Sequence, residues 1–342
     1  MSSVPNAAPA KERGRVEWLD LFRGAAVLAM IETHVVNTFL ALPLREAAWF
    51  GWLNWFNGLI APSFLFIAGY AQGMSWRPGA ARAGAFARKA KRLLWVAALG
   101  YALHFPFADL ALRRWADALR MGSQVDVLQC LAVTLLGVLG AQALAGFLPE
   151  ARRRAAWLAV VALLGVAVVA LAPLSAGWSG GPVPLAAFVN DRTGSLFPLF
   201  PWAAFVFCGV VAGAFASRSA GWLLVAAGGV KAGALLLGDG TFSALSPAFF
   251  CERLAGVLAL AALCQWIARV WTPRGVLFAG RESLVIYASH LLMIEWAAQA
   301  GVPRGGFWLP GIALLFAAVI AAAFAVAFAK TRWSARTARQ PA

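Results

Sequence analysis

The sequence contains few charged residues and few of the side chains that carry chemistry in water. Only 13% of its 342 residues are charged, and it has three histidines, three tyrosines and four cysteines. A soluble globular domain has roughly 25% charged residues, so this composition excludes an ordinary water-soluble fold. The cysteines show neither CxxC nor Cys/His spacing, so we predict no metal site and interpret them as packing residues. They are Cys130, Cys208, Cys251 and Cys264.

The chain is instead dominated by long apolar runs. Hydrophobic residues make up 62% of it and the mean hydropathy is +0.75. Since roughly 20 apolar residues are needed to cross a bilayer as a helix, we predict an all-α polytopic membrane bundle of about ten helices. A polar tail over 1–18, without an apolar signal-peptide core, precedes a transmembrane domain over 19–329 and a tail over 330–342. The predicted spans are 19–41, 53–75, 93–111, 125–147, 155–174, 196–216, 221–238, 248–271, 281–300 and 307–329.

The net charge of +15 is distributed in a way that indicates membrane topology and not nucleic-acid binding. A nucleic-acid site needs its cations on one water-exposed face, whereas these cations lie in short loops between apolar runs. With a cytoplasmic N-terminus, the inner segments hold 19 Lys and Arg residues and the outer loops hold 6. The positive-inside rule therefore places both termini in the cytoplasm. The Ala- and Arg-rich composition suggests a bacterial cytoplasmic membrane.

Four polar residues follow one face of the first predicted span. His34 comes eleven residues after Arg23. The rotation of about 1100° is close to three full turns, so both side chains point the same way, about 16 Å apart. Asp20 and Asn37 share much of this face, while Glu32 points elsewhere. Charges inside a bilayer usually face a cavity, although Arg23, paired with Asp20, could also reach lipid phosphates.

The ninth predicted span repeats this arrangement. Arg281 lies at its inner end, and His290 is nine residues further along, about 13 Å deeper. Nine residues rotate the helix by about 180°, so Ser283, Tyr287 and His290 form the coherent face. The two histidines are expected at similar depth, and two polar stripes that enter from the same side predict one shared cavity.

These residue types suit a long donor with a phosphorylated end. An arginine can bind phosphate in a bidentate way and never loses its charge. A neutral histidine can take a proton from an amine or hydroxyl because its pKa lies near the working pH. A coenzyme A thioester, with its phosphates about 15 Å from its reactive end, has the shape that this spacing predicts.

Four stretches carry a family resemblance, namely LDLFRGAAVLAMIETH with its Arg-x10-His spacing, FNGLIAPSFLFIAGYAQG, LFPLFPW and GRESLVIYASH. Over about residues 16–300 the chain resembles the transmembrane acyltransferases, and within them the bacterial relatives of heparan-alpha-glucosaminide N-acetyltransferase. The OpgC-type succinyltransferases and the acyltransferase-3 family are similar in sharing Arg-x10-His. The resemblance implies a membrane enzyme that moves an acyl group, with acetyl as the first choice, from cytoplasmic acyl-CoA to an amine or hydroxyl of a sugar or glycan at the opposite face.

The resemblance also implies roles for two residues, and it contains one departure. By position, Arg23 would belong to donor binding and His34 to the catalytic centre. In the lysosomal members an asparagine aligns with His34, and the catalytic histidine lies in the loop before the second span. Here that loop, ALPLREAAWFGWLNWFNG, has no histidine, so His34 is the better candidate.

We assign the candidate residues to three groups. His34 is the general base or a transient acyl carrier, and the residues that orient the substrate or the oxyanion are His290, Tyr287 and Asn37. The residues that hold the donor phosphates are Arg23, Arg281 and Asp20, with the basic segment Arg88, Lys89, Lys91 and Arg92. The candidate acceptor-binding residues are Asn57, Asp126 and Gln129.

Several polar residues have equally good structural explanations. Asp126 at the start of the fourth span is also favourable beside a helix N-terminus. His104 is interpreted as a structural, loop-facing histidine. Lys231 could bind an anion or pair with Asp126 or Glu252, and Glu252 and Arg253 could neutralise each other or other partners.

The expected partners are a small-molecule acyl donor, acetyl-CoA or another acyl-CoA, a glycan acceptor and the lipid bilayer. Neither nucleic acid nor a metal is expected. The oligomeric state is open, with a homodimer as one option, and so is the choice between direct transfer and an acyl-histidine intermediate. The competing function is a secondary transporter or flippase, in which the buried histidines and arginines would serve coupling or substrate binding. The lack of a detectable internal repeat argues against many transporter folds.

Overall fold

The computed structural model describes residues 16–76, 83–216, 219–238 and 243–337. Fifteen α-helices account for most of these residues, and the one β feature among them is an isolated bridge between Leu40 and Phe307. The predicted all-α class is therefore confirmed. The tail residues 1–15 and 338–342, and with them several inner-segment cations, lie outside the described residues. The helices are α1 Glu17–Phe39, α2 Ala48–Asn57, α3 Ile60–Met74, α4 Ala83–Leu103, α5 Phe107–Ala111, α6 Trp115–Gly122, α7 Val127–Ala145, α8 Glu150–Ser175, α9 Val183–Val189, α10 Leu199–Ala214, α11 Ala220–Leu236, α12 Pro247–Ile267, α13 Arg274–Arg281, α14 Ser283–Gln299 and α15 Leu309–Thr337, with a 3-10 turn at Leu42–Glu46.

Four of the described helices, α7, α8, α12 and α15, are long and apolar enough to cross a membrane, and α13 with α14 could form a fifth, bent span. The surfaces of α8 and α15 are mostly exposed leucine, valine and alanine, as a lipid-facing surface requires. These apolar helices are those of a membrane protein. The count of ten spans and the orientation of the termini stay predictions.

Three predicted spans are interrupted. The second, 53–75, is divided between the end of α2 at Asn57 and α3, which has 15 residues. The third, 93–111, is divided between α4, which ends at Leu103, and α5, which begins at Phe107. The ninth, 281–300, loses its first two residues, because α13 ends at Arg281 and α14 leaves it at an angle of 85°. The first span survives as α1, which has 23 residues and includes Glu17, Asp20, Arg23 and Glu32.

Helix α1 lies at the centre of the bundle and packs against α3, α12, α13, α14 and α15. The backbones of α1 and α13 are in direct van der Waals contact. A Cβ atom on Gly24 would lie 2.0 Å from the Val276 carbonyl oxygen, and one on Gly280 would lie 1.9 Å from the Asp20 carbonyl oxygen. No larger residue fits at either position without moving a helix, so the two glycines set the distance between α1 and α13.

The C-terminal end of α1 is fixed by two other segments. The Ala41 amide donates to the Phe307 carbonyl at 2.9 Å, and the Gly305 amide donates to the Thr38 carbonyl at 3.0 Å. Arg45 donates to the carbonyl oxygens of Leu40 and Asn37 at 3.0 Å each. These bonds satisfy carbonyls that a helix end leaves without partners, and the guanidinium complements the helix dipole.

Helices α3 and α10 form a second backbone-level contact through two Gly-x-x-x-Gly pairs. Cβ atoms on Gly69 and Gly73 would lie 2.1 and 2.2 Å from the carbonyl oxygens of Val206 and Val210. Those on Gly209 and Gly213 would lie 2.1 Å from carbonyl oxygens of α3. Small residues at this spacing are what lets membrane helices approach closely.

Gly209→Ala is expected to destabilise the protein, by about 1–3 kcal/mol, since its methyl group would overlap the Phe66 carbonyl. Thermal unfolding of the purified protein measures the effect. Gly137→Ala is the matched control, because no atom lies within 4 Å of a Cβ there and alanine is favoured in a helix. Equal or higher stability of Gly209→Ala would contradict the tight α3–α10 packing.

Candidate active site

His34 of α1 and His290 of α14 are in direct contact. His290 Nε2 lies 3.1 Å from His34 Nδ1, and the ring centroids are 5.2 Å apart. His290 is fully buried and His34 partly buried. The structure thus brings together the two histidines that the sequence placed at matching depth on separate helices.

The hydrogen bonds around this pair determine which nitrogens carry protons. His290 Nδ1 lies 2.9 Å from the Ile286 carbonyl, and His34 Nδ1 lies 2.9 Å from the Met30 carbonyl. A carbonyl only accepts, so in the neutral rings both Nδ1 atoms are protonated. His290 Nε2 then accepts a hydrogen bond from His34 Nδ1–H, and His34 Nε2 keeps a free lone pair. In this arrangement His34 Nε2 is the ring nitrogen of the pair that is directed away from the other histidine.

Asp126 links this pair to the rest of the site. It precedes α7 and caps it, with Oδ1 accepting from the Val127 amide at 2.6 Å and Gln129 Oε1 accepting from the Asp126 amide at 3.3 Å. Its Oδ2 accepts from the Tyr287 hydroxyl at 3.2 Å. The Tyr287 ring in turn contacts the His290 ring, with centroids 5.7 Å apart. The predicted helix cap is thus confirmed, and the predicted role of Asp126 in orienting an acceptor stays a prediction.

His104 belongs to the same cluster, although it was predicted to be a structural, loop-facing residue. Its Nε2 lies 3.5 Å from Asp126 Oδ2, and its Nδ1 lies 3.2 Å from the Gly100 carbonyl. The contact with Asp126 is attractive when Nε2 carries a proton. All three histidines of the chain therefore meet around Asp126 and Tyr287. One signal in the sequence could have found His104. The chain has only three histidines, and both His104 and Asp126 lie near predicted outer helix ends.

At the end of the site away from the histidines, Asp20 lies between two arginines. Its carboxylate is 3.8 Å from Arg23 Nη1 and 3.5 Å from Arg281 Nε, and the residue is only 5% exposed. The bend between α13 and α14 lies next to this contact, where Glu282 forms an ion pair with Lys330 at 2.8 Å. Two cations from different helices are thus held together by one buried carboxylate.

A cavity of about 510 Å³ extends from the basic end to Tyr287, and none of the three histidines is among the described residues that line it. Along α7 its wall runs from Leu139 to Val127, a rise of about 18 Å. Tyr287 lines its far end and is also the residue that contacts Asp126 and His290. The polar and charged side chains along the cavity are Arg23, Gln72, Ser75, Lys89, Arg92, Arg281, Ser283 and Tyr287.

The other predicted site residues lie elsewhere. Arg88 and Lys91 are exposed on α4 and do not line this cavity, because Lys89 and Arg92 occupy the helix face turned toward it. Asn37 is exposed, and Asn57 is buried beside Glu32. Within the described ranges, neither asparagine forms a hydrogen bond with the two paired histidines. Gln129 is fully buried as the partner of the Asp126 cap.

A comparison with protein families gives one match. The model of the heparan-alpha-glucosaminide N-acetyltransferase catalytic family matches residues 15–239. The chain belongs to this family. Membership indicates acetyltransferase activity on a glycan acceptor and confirms the resemblance seen in the sequence. No curated protein matches the chain.

The matched region contains only part of the acetyltransferase's histidine cluster. Arg23, His34, His104 and Asp126 lie inside residues 15–239, whereas Tyr287 and His290 lie in α14, beyond the match. Among the described residues there is no group of three or more His, Cys, Asp and Glu that could hold a metal ion. The site is thus composed of polar side chains around an elongated cavity.

The proton positions can be tested directly. With histidine labelled by ¹⁵N, solid-state NMR of the protein at neutral pH should show His34 and His290 as neutral rings protonated at Nδ1, because both Nδ1 atoms face carbonyls. With only three histidines in the chain, His34→Ala and His290→Ala assign the signals. An Nε2-protonated His34 would contradict the assignment of the free lone pair.

Proposed function

We propose that this acetyltransferase moves an acyl group, most directly acetyl, from cytoplasmic acyl-CoA to an amine of a sugar or glycan at the opposite membrane face. The observation that carries the proposal is the position of Tyr287. It lines the cavity that begins at the arginines and contacts both Asp126 and His290. A donor that enters at the basic end would present its thioester to the histidine cluster.

The donor site follows from the cavity's two chemical halves. Arg23, Arg281, Lys89 and Arg92 supply four cations at one end, which suits the phosphates of coenzyme A. The walls beyond them are apolar, with leucines of α7 on one side, and would accept the less polar arm of the donor. Arg88 and Lys91, exposed nearby, would act only by long-range attraction.

His34 Nε2 would act as the general base. As the nucleophile's nitrogen attacks the thioester carbonyl, its proton moves to His34 Nε2. The imidazolium is then stabilised through Nδ1–H by His290 Nε2 and the Met30 carbonyl. When the C–S bond breaks, the thiolate takes the proton from His34, which leaves free CoA thiol, the acylated acceptor and a neutral histidine. In the two-step alternative, His34 Nε2 itself attacks and carries the acyl group.

Asp126 and His104 favour an amine over a hydroxyl as acceptor. An amino sugar arrives largely as an ammonium ion, which a carboxylate near His34 would hold. The ammonium must lose one proton before it can attack, and His104 is adjacent to Asp126 and 31% exposed, so it offers that proton a way out. A hydroxyl acceptor needs no such outlet.

Acyl-CoA should raise the unfolding temperature of the wild-type protein and not that of Arg23→Ala. A ligand stabilises only the state it binds, by about 2.7 kcal/mol at a hundredfold excess over Kd. Arg88→Ala is the matched control, since Arg88 is exposed outside the cavity, and it should keep most of the stabilisation. If wild type shows no response to CoA or acetyl-CoA, the acyltransferase proposal is wrong.

His34→Ala is expected to lower acetyl transfer to glucosamine-containing acceptors by about 10²- to 10⁴-fold, the usual contribution of a general base. His290→Ala should reduce the rate less, because the base remains and loses only the acceptor of its Nδ1–H bond. Label from radioactive acetyl-CoA retained on wild type without acceptor, and absent in His34→Ala, would indicate the covalent route. Unchanged turnover in His34→Ala would show that His34 is not the general base.

A further inference from the structure

Arg253 of α12 is a buried cation whose hydrogen bonds are only partly satisfied. The residue is 9% exposed. Its Nη1 donates to the Trp55 carbonyl, and the guanidinium lies 4.9 Å from the ring centroid of Phe249 and 5.5 Å from that of Trp55. Its Nε is buried and has no hydrogen-bond partner. The edge formed by Nε and Nη2 is therefore the unused side of the group.

The nearest carboxylate is engaged with other groups. Glu252 Oε1 lies 3.6 Å from Lys231 Nζ and accepts from Trp55 Nε1 at 3.3 Å. The sequence left Asp126 and Glu252 as possible partners of Lys231, and the structure pairs Lys231 with Glu252. In the described part of the chain, no carboxylate comes within ion-pair distance of Arg253.

A second buried polar side chain, Asn57, follows Trp55 at the end of α2. Asn57 is 9% exposed, and its amide lies beside the Glu32 carboxylate of α1, although neither amide atom has a described partner at full hydrogen-bond geometry. The next residue, Gly58, lies directly against the guanidinium. A Cβ atom there would be 2.9 Å from both Cζ and Nη1 of Arg253.

We propose that Arg253 is the centre of a binding site for an oxyanion, that is, a carboxylate, sulfate or phosphate group. A guanidinium stays charged when buried, and a buried charge without a counterion is unfavourable. Its Nε–Nη2 edge has the geometry that binds two oxygens of an oxyanion at once. The oxyanion could be borne by a soluble molecule or by a lipid head group, since exposed Trp52 and Trp55 of α2 lie beside the site. The site is separate from the acyl-transfer chemistry of His34.

The test measures binding without acyl donor, so it is independent of acetyl transfer. The purified protein in dodecyl maltoside is titrated with sodium sulfate and sodium phosphate, against sodium chloride at equal ionic strength, while its unfolding temperature is recorded. A parallel arm adds phosphatidylglycerol in mixed micelles. We expect a saturable stabilisation of wild type that Arg253→Gln loses and that Arg253→Lys needs at least about tenfold more ligand to reach, because an ammonium lacks the fork.

Two further variants keep the result interpretable. Arg269→Gln, a change at an exposed arginine shortly after α12, should respond as wild type does and reports the non-specific effect of sulfate. Gly58→Ala keeps every charge but crowds the guanidinium, so it should weaken binding even if Arg253→Gln does not fold. Saturation by sulfate or phosphate indicates a soluble source, and saturation by phosphatidylglycerol alone indicates a lipid. Equal responses of wild type, Gly58→Ala and the Arg253 variants to all three probes, or no response at all, would overturn the proposal.

Discussion

The close contact between α1 and the bent pair α13–α14 is the constraint on which the rest of the site depends. Gly24 and Gly280 allow the two backbones to touch, which places Arg281 beside Asp20 and Arg23. The 85° turn after Arg281 then directs α14 along α1, so that His290 meets His34. One packing seam therefore determines both the cationic end of the cavity and the histidine pair. A shift of either helix would separate both pairs at once.

The electrostatics of the two ends are complementary in a simple way. At the cationic end, Arg23 and Arg281 contact Asp20 and line the cavity together with Lys89 and Arg92, so the described lining carries cations that an anionic group could contact. At the other end, Asp126 is satisfied by an amide, a hydroxyl and a histidine, so its charge is stabilised without a permanent cation. Each end is thus prepared for a ligand of opposite character, and the apolar wall of α7 separates them.

Helical periodicity was sufficient to predict the parts of the site that lie within one helix. It placed Arg23 and His34 on one face and His290 level with His34. It failed where the chain changes direction. The bend at Glu282 contains no proline, so the sequence did not predict it. Asn37 was predicted on the polar stripe of α1, but it lies at the exposed helix end, where Arg45 donates to its carbonyl oxygen. Within the basic segment of α4, Lys89 and Arg92 face the cavity, whereas Arg88 and Lys91, each one residue earlier in the chain, do not. The sequence does not show which of these two faces of the helix is turned inward. His104 and Asp126 meet only through the packing of α4 on α7, which no local pattern encodes.

Tyr287 has a consequence beyond its contacts with Asp126 and His290. It is 4% exposed, lines the cavity and contacts the histidine cluster, so its ring lies where the two meet. In a membrane enzyme of the proposed kind, a route wide enough for a thioester would also conduct protons and discharge the ion gradient across the membrane. A ring held in place by a hydroxyl bond to Asp126 would narrow that route. The same residue would thus reconcile catalysis across the bilayer with the insulation on which the cell's energy supply depends.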